Sequence, residues 1–169
     1  VGYEGGSLTS LFDEDAQAAT NIALRKMADR GGERFVELTR MNTPIDTGEL
    51  RASWYQLPTN KTHFGPWPAW ESGVATDVDY APHVEYGTGL WGPKGSKYPI
   101  VPKTPGGVLH WIDRETGEHV FSKMVMHPGS PGQHMVAIAA DVVEFEVDGG
   151  TLFRATLDEW KMAVEAGAD

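Results

Sequence analysis

TPIDTGELRASW, residues 43–54, is the stretch on which the reading of this chain turns. Pro44 lacks an N–H and its ring clashes with a preceding helical turn, so it stops a helix arriving from the N-terminal side. Asp46, Thr47 and Gly48 have the composition of a tight turn. Beyond it Leu50, Ala52 and Trp54 alternate with polar residues, which predicts a strand over 49–57. A second informative stretch, DYAPHVEYGTG, occupies residues 79–89. It reads as a strand end, a short turn of helix begun at Tyr80, Ala81 and Pro82, and an exit through Gly87, Thr88 and Gly89.

On the N-terminal side of Pro44, residues 13–41 read as one long helix. Asp13, Glu14 and Asp15 suit its positive end, and Arg34 and Arg40 lie towards the other. Leu24, Met27, Ala28, Phe35 and Leu38 recur at helical spacing with Gly31 on the same stripe, and Gly31-Gly32 predicts a kink or a close helix contact. Residues 1–12 read as an irregular arm. On the C-terminal side, strands are expected at 73–78, 108–113 and 119–126, the last two joined as a hairpin through Arg114, Glu115, Thr116 and Gly117. Residues 57–72, rich in Pro and Trp, and 87–107, rich in Gly, Pro and Lys, read as two long extended loops, a length that usually accompanies function or disorder. A helix starts near Gln133; VVEFEV fits either its continuation or a strand over 141–148. Residues 151–166 read as a closing helix carrying Leu152, Thr156, Leu157, Trp160 and Val164 on one side. The expected fold is α+β, a single domain over 1–169 with long N-terminal and C-terminal helices on a mostly antiparallel sheet of about four strands.

The formal charge is −10 over 169 residues, and it is not evenly spread. Residues 1–20 hold four acids and no base, 141–169 form an acidic extension with eight acids against Arg154 and Lys161, and the middle is balanced. A sustained basic face of the kind that coats DNA is therefore absent from the sequence. The acidic ends either solvate the termini or rim a passage through which DNA slides without sticking. With no cysteine there is no disulfide framework and no thiolate chemistry. No run of apolar residues is long enough to span a bilayer, and VGYEGGSLTS lacks the pattern of a signal peptide.

Residue types that carry chemistry are present without the spacing that chemistry needs. His83, Glu85, His110, His119, His127 and His134 match no metal-binding signature. One Asp-Thr-Gly without an apolar flank or a second carboxylate is a turn former. The Gly87 to Gly95 region has neither phosphate-binding glycine pattern, and Ser53, Ser122 and Ser130 have no nucleophile elbow. No cofactor is expected. Glu85 among Tyr80, His83 and Tyr86 would need a partner if buried, and Arg51 is the candidate. Trp67, Trp70 and Trp91 lie in the two loops, either folding back on the sheet or anchoring an interface together with Lys94, Lys97 and Lys103.

Taken together the two stretches resemble the head-to-tail joining (neck or tail-completion) family of long-tailed bacteriophages, whose founding member is a lambdoid phage's gene product ten. In that family a helix runs into a proline, an Asp-Thr-Gly turn, Leu, a basic residue and Ser. A Tyr-Ala, Glu, aromatic, Gly-Thr box follows, then a Pro-Gly before a closing helix. Here the matching positions are Pro44, Asp46, Thr47, Gly48, Leu50, Arg51 and Ser53, then Tyr80, Ala81, Glu85, Tyr86, Gly87 and Thr88, then Pro128 and Gly129. The likeness covers residues 16–140 and is interrupted by the segment 57–72.

It implies a minor structural virion protein that forms a homo-oligomeric ring in the neck. The implied partners are connector or head-closure proteins on one side and tail-tube or tail-terminator proteins on the other. Genomic DNA would pass through the channel without sequence recognition, no membrane would be involved, and assembly would take place in the bacterial host cytoplasm. The work would be association, with no bond made or broken. Within the same class the alternative is a tail terminator capping the tail tube, and from another class it is a small metal-dependent hydrolase using His83, Glu85 and His127.

Overall fold

The computed structural model describes residues 14–151, Arg154 and Thr156, the side chains of 14–16 and Trp67 excepted. In chain order the elements are α1 (Glu14–Asn42), α2 (Glu49–Ser53), β1 (Tyr55–Phe64), β2 (Trp67–Ala75), α3 (Ala81–Tyr86), β3 (Tyr98–Ile100), β4 (Leu109–Ile112), β5 (His119–Ser122), β6 (Val125–His127) and α4 (Met135–Asp148). The expected arm over 1–12 and the end of the closing helix lie outside the described residues; Thr151, Arg154 and Thr156 are helical. The fold is α+β, with the long helices against a β-strand region. The contacts divide into two compact units, one holding α1, α2, β1, β2 and α4, the other residues 78–134.

In the first unit α1 packs on β1, β2, α2 and α4. The stripe expected from periodicity is the one used: Leu24, Met27, Ala28, Gly31 and Phe35 line an apolar groove with Trp70 of β2 and Val143 and Val147 of α4. A close contact falls at Gly32, where a Cβ would run into the Gln56 amide and the Ser72 hydroxyl. Val36, Leu38, Leu50, Trp54, Met135 and Ala139 are buried. Arg34 on α1 forks onto the Glu146 carboxylate on α4, with Nε to Oε2 at 3.1 Å and Nη2 to Oε1 at 2.9 Å. VVEFEV is therefore helix, continuing α4.

That fork has a pH signature. Hydrogen bonding from Arg34 holds the Glu146 carboxyl below its ordinary value of 4.5, against the opposing effect of desolvation. A depressed carboxylate contributes stability in full above its unfolded pKa and loses it as pH falls through the folded one. Glu146→Gln is expected to cost about 1 kcal/mol at neutral pH. The gap between variant and wild type should shrink as urea unfolding is repeated from about pH 5 towards pH 3. A gap independent of pH would mean that the pair adds nothing through its charge.

The strand expected over 49–57 is a correction. Residues 49–53 are helical and β1 starts only at Tyr55. Glu-Leu-Arg-Ala is made of good helix formers, and Leu50 and Trp54, four apart, both turn inward while Ala52 is exposed. The i, i+4 reading wins over the i, i+2 one. Gly48 precedes α2 with φ 85°, a conformation costly for any residue with a Cβ, although the space around it is open. Gly48→Val is thus expected to lower stability by about 1 to 3 kcal/mol through backbone strain alone. An unchanged melting temperature would contradict that turn geometry.

The expected loop over 57–72 is also a correction: it is the body of an antiparallel β1–β2 hairpin, with Phe64 opposite Trp67 across Gly65-Pro66. Gly65 takes φ 60°. Proline holds φ near about −65°, which leaves the type II′ hairpin turn. Further along, the ladder shifts register between Leu57 and Asn60, where Pro58 has no N–H to give.

The expected four-stranded sheet is replaced by three two-stranded antiparallel sheets among the described residues, β1–β2, β3–β6 and β4–β5. Pro58, Pro68 and Pro99 sit within β1, β2 and β3, and a strand carrying proline stays at an edge. The single strand expected over 119–126 divides because Ser122 Oγ bonds both the N–H and the carbonyl of Met124, kinking the chain at Lys123. β5 pairs with β4 and β6 with β3. The segment 87–107, expected to be all loop, contains β3.

Candidate functional site

The residues that carry the family resemblance fall into two clusters, one in each unit. The first fastens the end of α1 to α2. Trp54 Nε1 donates to Thr43 Oγ1 at 3.0 Å, and Thr43 Oγ1 donates to the Thr39 carbonyl at 2.6 Å. Arg51 reaches back to the Thr43 carbonyl through Nε (3.1 Å) and Nη2 (2.6 Å). Arg40 donates to the Trp54 carbonyl. Two cations therefore satisfy backbone acceptors around the helix end, where the macrodipole favours positive charge. Ser53 Oγ donates to the Leu50 carbonyl, which leaves it to accept from Thr76 Oγ1. The bonds described for Arg51 go to main-chain carbonyls. Pro44, Asp46 and Thr47 are exposed.

The second cluster joins the Gly-Thr box to the Pro-Gly box. Tyr80 caps α3, Pro82 lies in its first turn, and Ala81 and Glu85 are buried while Tyr86 is exposed. Thr88 N donates to the Ser130 carbonyl (2.8 Å), Leu90 N to the Pro128 carbonyl (2.7 Å) and Ser130 N to Thr88 Oγ1 (3.0 Å). Gln133 N and His134 N continue the pairing onto the Val84 and Glu85 carbonyls. The two main chains approach so closely that a Cβ on Gly89 would meet the Pro128 carbonyl and one on Gly129 the Thr88 carbonyl. Gly87 and Gly132 are blocked in the same way, each by the backbone of the opposite segment. The two segments form one clasp in space.

Among the described residues no three His, Cys, Asp or Glu side chains converge as a metal site, so His83, Glu85 and His127 form no such set. The Nδ1 of His127 accepts from Gly129 N at 2.9 Å, which makes it part of the clasp. Asp113 is held below the usual carboxylate range by the N–H groups of Thr116 and Glu115, stabilising the β4–β5 turn. The Tyr55 phenol is raised by the charge of Asp77 and by its hydrogen bond to that carboxylate.

The candidate interface residues separate. Trp70 is half-buried along the α1 groove with the Arg25 guanidinium 5.7 Å above its ring, whereas Trp91 is exposed. Trp67 opens β2, and its side chain lies outside the described residues. Lys94, Lys97 and Lys103 are all exposed.

What the sequence did not single out is the amount of aromatic and aliphatic surface left to water on folded elements. Phe64 at the end of β1 is 82 % exposed, Phe145 on α4 76 % and Phe121 on β5 64 %. On the β4–β5 hairpin the His110 and His119 rings meet edge to edge, Nε2 to Nδ1 at 2.8 Å, and the His110 ring lies 4.7 Å from that of Phe121 between centroids. Only the cross-strand register, His110 opposite Phe121 and Ile112 opposite His119, brings these four to one face. No protein-family model matches the chain, and no curated protein or solved structure matches it.

Proposed function

We propose that this chain is a structural subunit of the neck of a long-tailed phage, associating into a ring between head and tail with an open channel for DNA. The observation that carries the reading is the exposed apolar surface on hydrogen-bonded elements: Phe64, Phe121 and Phe145 stand in water on two hairpins and a helix. Single exposed apolar residues are ordinary, but aromatic side chains on rigid elements are the usual anchors of interfaces. Among the described residues all six strands belong to two-stranded sheets, so each keeps one edge outside its pair that invites further pairing. The resemblance of the two motif clusters supplies the place of assembly. The formal charge of −10 supports a passage that DNA crosses without adhering.

Under this reading a phage deprived of the chain accumulates filled heads and separate tails, and the purified protein restores joining in an extract. Joining that proceeds normally without the chain would exclude the neck role. Loss of joining on replacing His83 or His127 by Ala, with the fold intact, would instead return the hydrolase reading.

A further inference from the structure

We propose that the tip of the β1–β2 hairpin of one copy docks on the outer face of α4 of the next, with Phe64 and Phe145 as paired anchors. This rests on the self-association proposed above and assigns its surfaces. Phe64 ends β1 beside the Gly65-Pro66 turn and is the most exposed large apolar side chain among the described residues. Residues 61–70, the hairpin tip beyond the Asn60–Glu71 rung, carry Lys61 and His63 and no acid. On α4, Ile138, Asp141, Glu144, Phe145 and Asp148 are all exposed and fall along one stripe at helical spacing. The helix holds four acids and no base, and Glu146 is tied to Arg34, which leaves Asp141, Glu144 and Asp148 around Phe145.

A basic, aromatic tip and an acidic, aromatic helix face are complementary, while tip against tip or helix against helix would oppose like charges. Two different complementary surfaces on one protomer make a head-to-tail contact, which generates a ring where the rotation between copies closes and an open filament where it does not. The occupant is therefore a second copy of this chain.

The chain has no cysteine, so single introduced thiols report on one contact at a time. Phe64→Cys and Phe145→Cys proteins, mixed in equal amounts under mild oxidation, are expected to form the mixed disulfide well ahead of either homodimer. The protein carrying both changes should give a ladder of higher oligomers. Both side chains stand in water, so the changes leave the fold alone. Separately, Lys61→Glu is expected to raise the concentration for half-association by several-fold, and Asp141→Lys added to it to restore most of the loss. A wild-type chain that sediments as a monomer at every concentration would overturn both the docking and the self-association it rests on. A wild-type chain that associates while the thiols give homodimers, no cross-link, or closure within one chain would overturn the docking alone.

Discussion

Gly129→Ala is expected to cost about 3 to 5 kcal/mol, among the largest effects a single methyl can have in this chain. Gly129 sits at φ 93°, where any side chain strains the backbone. The added Cβ would also fall on the Thr88 carbonyl, a main-chain atom that cannot turn aside. Gly106→Ala separates the two causes, because Gly106 has φ 76° with open space around it. It should cost only about 1 kcal/mol, from conformation alone. Urea unfolding of both variants checks the difference. Equal losses would mean that the clasp between residues 87–90 and 128–132 gives way freely and does not hold its unit together.

Trp54→Ala should destabilise the first unit by about 3 to 5 kcal/mol, the range for removing a buried large aromatic side chain. Trp54 is 5 % exposed, and its indole N–H is the only donor it has for Thr43 Oγ1. Thr43→Val keeps the shape but leaves that N–H buried without its acceptor, at about 1 to 3 kcal/mol. Because the two residues share one hydrogen bond, the double variant should lose less than the two single losses added together. Full additivity by thermal or urea unfolding would show that the bond contributes nothing to the corner between α1 and α2.

The parts of this fold that were legible in sequence are those with a long period or strong punctuation. The stripe from Leu24 to Phe35 predicts α1, Pro44 its end, and Arg114 to Gly117 the β4–β5 turn, all of which occur. Short segments were less legible because two periods fit them equally. Leu50, Ala52 and Trp54 read as a strand, and only burial of Leu50 with Trp54 decides for helix. Residues 57–72 read as a loop because prolines interrupt them, although a Gly-Pro pair also makes a hairpin turn.

The motif positions were visible one by one, but their partners were not. Arg51 pairs with carbonyls, and every residue has a carbonyl, so no sequence pattern marks them as acceptors. The glycine clasp links segments some forty positions apart in sequence, as the Ser130 to Thr88 bond shows. Phe64 and Phe145 are single aromatics with no period, and their importance comes from exposure, which sequence does not display.

We propose that copies of this chain join one another around a passage. Negative-stain imaging of the purified protein tests it most directly. Closed rings of one size with a stain-filled centre wide enough for duplex DNA are the expected result. A field of monomers at concentrations where interfaces of ordinary strength form, or open filaments that never close, would contradict it.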